Sequence, residues 1–502
     1  MKLYLPLAVR NAEQKLFDGG TTPEELMEKA AKAVFDDVFP RIKPSDAVSV
    51  LCGKGNNAGD GYALARMLKE KNVNVICLDV FASPPTTEPA KTFFESYVSC
   101  GGALESDIKK QLKIIAVSDV IIDAVFGIGF HGNIESESEV YKVLDAANNA
   151  RACKIALDVP SGVRCDDGSV GNIAFAANET LTLAAMKVGL LSYPAKLFCG
   201  KISVLKLSPL TEALESMPYD SFSPDSAYVK SALPARMEFS SKGDYGKLLA
   251  ICGSKNMSGA ALLSCKAALR SGAGLVTLAS SESVINRVSV SLAEPIYAPY
   301  DEDDEGQVKK LSQSTSKYTS ILIGCGLGIS ENKKELLNHI ITTAYCRLII
   351  DADGINMLAD NINVLKEAHK VPVITPHPLE FSRISSLDVS YINENRIKVA
   401  REFAEKYRCI VVLKGAGTVI ASPDGKYAIN SSGNPGLAKA GSGDVLAGLI
   451  AGLAANTSVS AFDAAVCGVY LHGYASDVLK QKYSEYGLLP SDLPEEIAKL
   501  LP

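Results

Sequence analysis

The sequence predicts an α/β protein made of two consecutive domains, each with a largely parallel sheet covered by helices. Its 502 residues exceed what one hydrophobic core usually serves. Short apolar runs rich in β-branched residues alternate with helical patterns along both halves. Between about residues 207 and 243 this periodicity stops, and serine and proline accumulate. We therefore expect a first domain over 1–213, a linker over 214–235 and a second domain over 236–502.

The first domain contains one clear helix and five strand candidates. The helix begins at Thr22, which caps it; Pro23 takes the first helical position and Glu25 completes a capping box. Its apolar face repeats every three or four residues, at Leu26, Ala30, Val34 and Val38. The strand candidates are 47–52, 73–81, 119–126, 153–159 and 180–184.

The second domain repeats the strand pattern but ends differently. A hairpin is predicted over 417–430, with its turn at Pro423, Asp424 and Gly425. A glycine-rich loop then leads into a helix over 444–455, and a last pair of helices closes the chain. The strand candidates before the hairpin are 247–252, 275–279, 320–324, 347–351, 371–375 and 409–413.

Composition restricts the classes of function. With 47% apolar and 22% charged residues the chain is typical of a globular protein, and its net charge of −6 argues against nucleic-acid or membrane binding through the overall field. The 12 cysteines include no Cys-x-x-Cys pair, which predicts reduced thiols rather than disulfides or a zinc site. No signal peptide or apolar run of about 18 residues is evident. We expect a cytoplasmic protein that holds any anionic ligand by local features.

A glycine-rich turn, GKGNNAGDG, follows the strand at 47–52 and leads into a helix. Backbone N–H groups at such a helix start face the carboxyl edge of a parallel sheet, where α/β proteins bind ligands. Glycine allows a ligand to approach the backbone, and Asn56 and Asn57 supply amide donors and acceptors. A plain strand–helix turn is the alternative. Further polar turns follow later strands and are expected to converge on the same edge, at 123–133, at 157–162 and at Lys187.

Residues 127–132, GIGFHG, also match the G-x-G-x-x-G pattern after a strand. That pattern would favour a dehydrogenase with Asp158 on the ribose of a dinucleotide. However, the fingerprint normally lies in the first strand–helix unit, and the residues after Gly132, NIESESEVYKVL, do not open a helix at once. The dehydrogenase interpretation is therefore the weaker alternative.

Five motifs, LMEKAAKAV, GKGNNAGDG, DAVFGIGF, DVPSG and TLTLAAMKVGL, together resemble the NAD(P)H-hydrate epimerase domain over nearly all of residues 1–205. The resemblance implies a Rossmann-like three-layer αβα domain with Asp158 as the catalytic acid/base. It also implies that Asn57, Asp123 and Ser161 hold K⁺, an ion suited by hard oxygen ligands. The residues implied to bind the hydrated dinucleotide are Asn56, Asn57, Ala58, Gly59, Asp60, Gly127, Ile128, Gly129, Phe130, His131, Gly132, Asn133 and Asp158.

The second glycine-rich loop, GNPGLAKAGSGDVLAG, carries one carboxylate, Asp444, where a helix is expected to start. Free N–H groups and the positive end of the helix dipole allow 441–443 to hold a phosphate without a lysine. Asp444 would repel that phosphate, so its better role is to accept a proton from a hydroxyl that attacks a phosphoryl group. An aspartate that only caps the helix is the alternative. Nearby motifs favour the catalytic role through Lys414, His377 and Glu380.

The motifs ICGSKNMSGA, IGCGLG, DADGINML, TPHPLEFSR, LKGAGTVI and NPGLAKAGSGDVLAGLIAG resemble ADP-dependent NAD(P)H-hydrate dehydratases over about residues 235–480. The resemblance implies a ribokinase-like α/β domain, ADP as co-substrate and Mg²⁺ on the nucleotide, with Asp444 as the catalytic group. The implied substrate-binding residues are Ala260, Gly326, His377 and Asp444. The implied ADP-binding residues are Lys414, Gly415, Ala416, Gly417, Thr418 and Gly443.

The two resemblances together imply a bifunctional enzyme that repairs hydrated NAD(P)H. The first domain would interconvert the R and S epimers, and the second would dehydrate the S form with ADP to give NAD(P)H, AMP and phosphate. We expect small-molecule ligands only, a homo-oligomer, and no nucleic-acid or membrane partner.

Two alternative functions stay open at this point. A ribokinase-like kinase of a small alcohol or vitamin alcohol, fused to a nucleotide-binding module, would use ATP and leave a stable phosphate ester. A non-enzymatic scaffold, like related N-terminal domains in RNA decapping factors, would require a degenerate first site. The presence of Asn57, Asp123, Asp158 and Ser161 disfavours the scaffold.

Overall fold

The computed structural model describes residues 1–219, 221–301 and 304–502 and divides into two compact units. The first unit is Lys2–Ser221, and the second is Phe222–Pro502 together with Met1. Both units are built from helices and largely parallel sheets, which confirms the predicted fold class. No helix within the described ranges combines the length and apolar character needed to cross a bilayer.

The sheet of the first unit has seven parallel strands. They are β1 (Ala47–Cys52), β2 (Asn74–Asp79), β3 (Ala103–Glu105), β4 (Val120–Ala124), β5 (Cys153–Leu157), β6 (Glu179–Leu183) and β7 (Lys201–Leu205). Their order in the sheet is β3-β2-β1-β4-β5-β6-β7. The chain builds outwards from β1 to β3 and then continues on the other side of β1, so the order reverses between β1 and β4. In open α/β sheets a ligand crevice opens at such a reversal.

Helices cover both faces of this sheet. They are α1 (Pro6–Asp18), α2 (Pro23–Val38), α3 (Asn56–Glu70), α4 (Glu88–Ser99), α5 (Ile108–Val117), α6 (Glu139–Asn149), α7 (Val188–Leu191), α8 (Lys196–Cys199) and α9 (Leu210–Ser216). Successive strand residues point to opposite faces, so Val50 and Ile122 pack against α2, α3 and α4, whereas Leu51 and Ile121 pack against α5 and α6. The sheet is the middle of three layers, as expected for a Rossmann-like domain.

The second unit has a ten-stranded sheet in the order β11-β10-β9-β12-β13-β14-β15-β16-β17-β8. Its strands are β8 (Ser221–Phe222), β9 (Lys247–Ile251), β10 (Leu275–Ser280), β11 (Ile296–Pro299), β12 (Ser320–Ile323), β13 (Arg347–Ile350), β14 (Val373–Ile374), β15 (Ile410–Leu413), β16 (Val419–Ala421) and β17 (Tyr427–Ile429). The strands from β9 to β15 are parallel, whereas β16 and β17 form an antiparallel hairpin.

Twelve helices surround this sheet in the described part of the second unit. They are α10 (Ser226–Ala232), α11 (Ser258–Arg270), α12 (Glu282–Val288), α13 (Glu305–Gln313), α14 (Glu331–Thr343), α15 (Asp353–Leu358), α16 (Pro378–Ser385), α17 (Val389–Glu394), α18 (Arg396–Tyr407), α19 (Ser442–Ala455), α20 (Ala461–Gly487) and α21 (Leu493–Leu500). The apolar helix α19 packs with α11 and α20 in one core with Ala250, Leu322 and Ile349 of the central strands. That packing fixes where α19 begins.

Most predicted elements are confirmed. Thr22 caps α2 and forms the expected box with Glu25, since each backbone N–H donates to the other side chain at 3.1 Å. The predicted hairpin is β16–β17, and the helix expected from 444 begins two residues earlier, at Ser442. The stretch 214–235 contains the end of α9, strand β8 and helix α10, apart from residue 220, which lies outside the described residues. Elements without a sequence prediction include α1, β3, β7 and β11.

Candidate active sites

The first unit has a cleft of ≈ 1050 Å³ at the carboxyl edge of its sheet. Its lining residues come from α1 and α2, from the start of α3, and from the turns after β4, β5 and β6. It therefore lies where the strand order reverses, the usual position of an α/β ligand site. Seven of its lining residues are titratable: Arg10, Glu13, Lys54, Asp60, His131, Asp158 and Lys187.

The glycine turn after β1 forms one wall of this cleft. Helix α3 begins within the turn at Asn56, with Gly55 as its N-cap. Asn57 is buried, and its Nδ2 donates to the carbonyl oxygen of Phe126 at 2.9 Å, which ties this helix start to the turn after β4. The N–H groups of the first helical turn can attract an anion. The predicted turn therefore lies at a ligand-binding edge.

Asp123 and Ser161 form a buried oxygen cluster behind the same turn. The Asp123 carboxylate is fully buried and accepts hydrogen bonds from Ser161 N at 2.7 Å and Ser161 Oγ at 2.6 Å. Ser161 Oγ in turn accepts from Phe126 N at 2.8 Å. Burial raises the pKa of Asp123 to about 6, although the hydrogen bonds from Ser161 act in the opposite direction. A carboxylate in this setting gains from a nearby cation.

Asp158 occupies a strained backbone position directly after β5. Its φ is +61°, a left-handed conformation that non-glycine residues adopt mainly where function or packing requires it. Its Oδ1 accepts from Leu183 N at 2.9 Å and from Thr182 Oγ1 at 3.2 Å, and it forms an ion pair with Lys187 Nζ. Lys187 is only 1% exposed, so its ammonium group contacts this carboxylate rather than solvent. Asp158 is held as an oriented, charge-compensated group at the cleft wall.

Two further carboxyl groups share this cleft, on different helices. Burial raises the pKa of Asp60 well above its usual range, and the charges of Asp158 and Glu13 add to the shift. Burial and the charge of Asp158 likewise raise the pKa of Glu13, and Lys187 and Arg10 only partly oppose them. The cleft therefore combines a paired carboxylate with neighbours that favour the protonated form.

The structure brings most of the predicted first-domain residues together. Ala58 is fully buried in the core, and Gly59 packs against α2, where an added Cβ would lie 2.4 Å from Met27 Sδ. Gly132 has a φ of +90° and does not contribute to the lining. The predicted residues that line the cleft are Asn56, Asn57, Asp60, Gly127, Ile128, Gly129, Phe130, His131, Asn133 and Asp158.

The second unit places its predicted site residues after four of its parallel strands and at the start of α19. Ala260 lies in the helix after β9, Gly326 follows β12, His377 follows β14 and Lys414 follows β15. Asp444 is in the first turn of α19. Because the carboxyl ends of these strands meet at one edge of the sheet, the topology brings these residues close to one another.

The start of α19 has the geometry of an anion site. Gly441 is its N-cap with a φ of +100°, which lets the chain turn directly into the helix. Ser442 N donates to the carbonyl oxygen of Lys439 at 3.2 Å, but in the described part of the chain the N–H groups of Gly443 and Asp444 have no acceptor. Two free donors at the positive end of a 14-residue helix favour a phosphate.

A buried ion-pair cluster lies beside this helix start. Lys414 Nζ lies 2.8 Å from Asp351 Oδ1 and 3.7 Å from Glu380 Oε2. Thr375 Oγ1 donates to Asp351 Oδ1 at 2.6 Å. Although burial alone would lower it, the charges of Asp351 and Glu380 raise the pKa of Lys414. The lysine is therefore a fixed positive charge, and an added Cβ on Gly443 would lie 3.4 Å from it.

Asp444 differs from Asp351 in having no ion pair among the described residues. One ligand atom each from Cys325, Asp351 and Asp444 lies within 4.8 Å of the others. Burial and the charge of Asp351 raise the pKa of Asp444 to about 6, while Cys325 and Lys414 act in the opposite direction. A carboxylate with a pKa near the working pH is well suited to accept a proton.

The predicted substrate residues of the second unit border the same cluster. His377 caps α16, since its Nδ1 accepts from Leu379 N and Glu380 N at 3.2 Å, and its Nε2 lies 3.4 Å from Glu380 Oε1. Burial lowers the pKa of His377, although Glu380 opposes the shift. Gly326 has a φ of +59°, and an added Cβ there would lie 2.8 Å from Ala260 Cβ. Gly326 and Ala260 therefore form one tight wall.

The turn over 414–418 is held from behind by Arg396. Its Nη2 donates to the carbonyl oxygens of Leu413 at 2.7 Å and Lys414 at 2.9 Å. Thr418 Oγ1 donates to the carbonyl oxygen of Gly415 at 2.8 Å, which closes the turn. The turn is thus preformed, and Gly415 and Ala416 are exposed on its surface, where a ligand could contact them.

Several residues of this site carry only a weak signal of their own in the sequence. Asp351 directly follows β13 and opens the motif DADGINML, so its position at a strand end could have marked it. Cys325, Thr375 and Arg396 act through contacts to distant residues, which no local pattern reveals. Ser442 Oγ and His472 Nε2 are also buried without a hydrogen-bond partner among the described residues.

Family comparisons match both units. The family described as YjeF-related protein N-terminus matches residues 23–189, and the family described as NAD(P)H-hydrate dehydratase matches residues 248–499. The chain is similar over nearly its whole length to curated proteins named bifunctional NAD(P)H-hydrate repair enzyme Nnr. The relative from Thermofilum pendens is 34% identical over 99% of this chain and 95% of its own length. The relative from Moorella thermoacetica is 32% identical over 93% of this chain and 90% of its own.

A comparison with solved structures supports the fold of the second unit. A ribokinase-like superfamily protein from Enterococcus faecalis matches with a TM-score of 0.51 and 24% identity, over 57% of this chain and 96% of its own. This likeness concerns the fold alone, and it confirms the expected ribokinase-like architecture.

Proposed function

Because the chain belongs to the family of bifunctional NAD(P)H-hydrate repair enzymes, we propose that its two units carry one activity each. The first epimerises the R and S forms of hydrated NAD(P)H. The second dehydrates the S form at the expense of ADP and returns NAD(P)H, AMP and phosphate. We assign the epimerase to 1–213, a linker to 214–235 and the dehydratase to 236–502. The family matches at 23–189 and 248–499 fall inside these bounds, which supports the assignment.

The observation that carries the dehydratase assignment is the position of Asp444 at the free N–H groups of α19. Its carboxylate accepts the proton of the substrate hydroxyl while that oxygen attacks the terminal phosphorus of ADP and AMP leaves. The lone pair of the ring nitrogen then expels phosphate to give a C=N⁺ bond. Loss of a proton from the adjacent ring carbon restores the dihydropyridine. Ala260, Gly326 and His377 contact the hydrated dinucleotide in this assignment.

The nucleotide is held by main-chain donors rather than by free lysines. The N–H groups of Gly443 and Asp444 face the transferring phosphoryl group, and the turn over 414–418 binds the rest of ADP. Magnesium suits this site, because Mg²⁺ is usually bound through one or two carboxylates together with substrate phosphates, and Asp351 lies beside Asp444. When bound there, Mg²⁺ neutralises charge on the phosphates.

In the first unit we assign the acid/base role to Asp158. Lys187 keeps it oriented, and its strained backbone holds it at the cleft wall. The dinucleotide occupies the cleft between the turns over 56–60 and 127–133, with its phosphates at the start of α3.

The oxygen cluster behind this turn fits a potassium ion. Asp123 and Ser161 offer adjacent carboxylate and hydroxyl oxygens. Asn57, which is tied to the neighbouring turn through Phe126, would add its amide oxygen to complete a hard donor set suited to an alkali cation. Asp123 is buried and has no ion pair within the described ranges, so a cation would supply the missing positive charge. Bound K⁺ would also offset the charge of nearby phosphates.

The decisive experiment uses an epimer mixture of hydrated NADH incubated with the pure protein, with and without ADP, and resolved by chromatography. Without ADP, a mixture enriched in one epimer should move to equilibrium. With ADP, both epimers should disappear as NADH, AMP and phosphate form. A stable phosphate ester made from ATP, with no NADH, would instead support the small-alcohol kinase.

The remaining expectations concern the setting of the enzyme. All 12 cysteines are free thiols, ten of them buried, which supports our proposal of a reducing, cytoplasmic compartment. A homo-oligomer stays a prediction, which light scattering of the purified protein would test.

A further inference from the structure

Helix α1, which no motif marks, contributes two charged side chains to the epimerase cleft. Arg10 and Glu13 lie one turn apart and both line it. Arg10 Nη2 lies 3.2 Å from the position that a Cβ on Gly129 would occupy, so this face of the helix borders the turn over 127–133. The same turn is assigned to the dinucleotide. Helix α1 is thus part of the binding cleft and not only a packing element.

Glu13 is the unusual member of this pair. It is half-buried, and within the described residues no hydrogen bond or ion pair engages its carboxyl group. A carboxylate partly removed from water without a compensating hydrogen bond is unfavourable, so an unpartnered carboxyl group on a cleft wall is a candidate for contact with a ligand. Asp18, on the same helix, is exposed and bonds to Gln14 at 2.8 Å instead. No hydrogen bond or ion pair among the described residues therefore gives the Glu13 carboxyl group a structural role.

Charged groups on several elements face Glu13. Arg10 lies on its own helix, Asp158 follows β5, Lys187 precedes α7 and Asp60 lies on α3. Burial and Asp158 raise the pKa of Glu13, and the two cations only partly offset them. The ion pair with Lys187 orients the Asp158 side chain. The cleft therefore contains one carboxylate with a lysine partner and one carboxyl group, that of Glu13, without a hydrogen bond or ion pair among the described residues.

We propose that Glu13 is the general acid of epimerisation and acts opposite Asp158, an inference that rests on the proposed epimerase function. Asp158 takes the proton of the substrate hydroxyl, and the C–O bond becomes a carbonyl as the bond from that carbon to the ring nitrogen breaks. Glu13 gives its proton to the ring nitrogen, which keeps the electron pair of the broken bond. Rotation about the adjacent C–C bond presents the other face of the aldehyde. Reclosure returns both protons, so the step is balanced and loses no water.

The test compares full-length Glu13→Gln with Asp18→Asn, a matched loss of one carboxylate from the same helix. Starting from one purified epimer without ADP, Glu13→Gln should lower kcat of epimerisation about 10²–10⁴-fold and change KM little. Asp18→Asn should match the wild type. ADP-dependent dehydration of the S epimer should be unchanged in both variants and serves as the internal control. A Glu13→Gln rate within about threefold of the wild type, or a loss seen only in KM, would overturn the proposal.

Glu13→Asp keeps the inference testable if the Gln variant folds poorly. A general acid must be protonated, so kcat of epimerisation should fall as the pH rises through the pKa of residue 13. Aspartate is intrinsically the stronger acid, so this limb should move to lower pH in Glu13→Asp. An unchanged limb would contradict the role of Glu13. If the wild type does not interconvert the epimers at all, the epimerase assignment itself fails, which is a separate result.

Discussion

The two candidate sites use the same groups in opposite ways. Each combines a lysine with two or more carboxyl groups at the carboxyl edge of a parallel sheet. In the first unit the lysine, Lys187, pairs directly with the proposed catalytic group Asp158. In the second unit Lys414 pairs with Asp351 and leaves the proposed catalytic group Asp444 without an ion pair among the described residues.

This difference gives the two proposed catalytic carboxylates different electrostatic surroundings. In the first unit the lysine orients the proposed catalytic carboxylate and compensates its charge, while burial raises the pKa of the neighbouring carboxyl groups of Asp60 and Glu13. Asp444 instead feels the charge of Asp351, and its pKa rises to about 6. A carboxylate with a pKa near neutrality is suited to the proposed role of base in the second site. The two sites therefore differ in whether the lysine pairs with the proposed catalytic carboxylate, as in the first unit, or with its neighbour, as in the second.

The largest expected effects come from removing each lysine. Lys187→Met and Lys414→Met both leave a buried carboxylate unpaired, and each should lower the free energy of unfolding by about 3–5 kcal/mol. Lys187→Met should abolish epimerisation but leave dehydration, whereas Lys414→Met should do the reverse. Denaturant titration and the epimer-resolved assay measure the two effects. Lys32→Met, which removes an exposed pair with Asp36, is the control and should cost under about 1 kcal/mol. Loss of both activities in either lysine variant would contradict the assignment of one lysine to each activity.

The pH dependence of dehydration should report the pKa of Asp444, the proposed base without an ion pair among the described residues. The active form of Asp444 is the carboxylate, so kcat/KM, which reports the pKa of the free enzyme, should be constant above that pKa and fall as the pH drops through about 6. Asp351→Asn removes a charge that raises this pKa and should move the acid limb to lower pH, by about one unit. A limb that stays in place would show that Asp351 does not act on Asp444.

Potassium should produce the smallest effect, confined to the first unit. Replacing K⁺ with a large organic cation should lower the epimerisation rate about fivefold, equivalent to ~1 kcal/mol of barrier, because Asp123 loses its counter-charge. Dehydration should not change. Asp123→Asn should remove the dependence on K⁺, and equal epimerisation rates in both salts would contradict the ion site.

Much of the fold follows from local patterns in the sequence. Strands β1 and β9 are mostly apolar because both sheet faces are covered, and the Thr22 box marks the start of α2. Strand β3 escapes prediction because three residues at a sheet edge are too few to form a pattern. Helix α1 is hidden because its Pro6 start lacks a polar cap.

The site residues likewise fall into those that local sequence patterns reveal and those that depend on tertiary contacts. Glycine turns and strand-end acids such as Asp158 and Asp444 are visible in the sequence, because main-chain geometry at a strand end is local. The ion pair between Lys414 and Asp351 joins residues 63 positions apart, and the positive φ of Asp158 depends on its packing. Glu13 reaches its cleft only through the tertiary position of α1. No local pattern could show these relations.

The central claim is that Asp444 is the base of an ADP-dependent dehydration separate from epimerisation. Asp444→Asn tests it most directly, with Asp424→Asn in the exposed hairpin turn as the matched control. In the epimer-resolved assay with ADP, Asp444→Asn should interconvert the epimers at the wild-type rate while NADH recovery and AMP formation fall about 10²–10⁴-fold. Recovery of NADH at the wild-type rate by Asp444→Asn would contradict the claim.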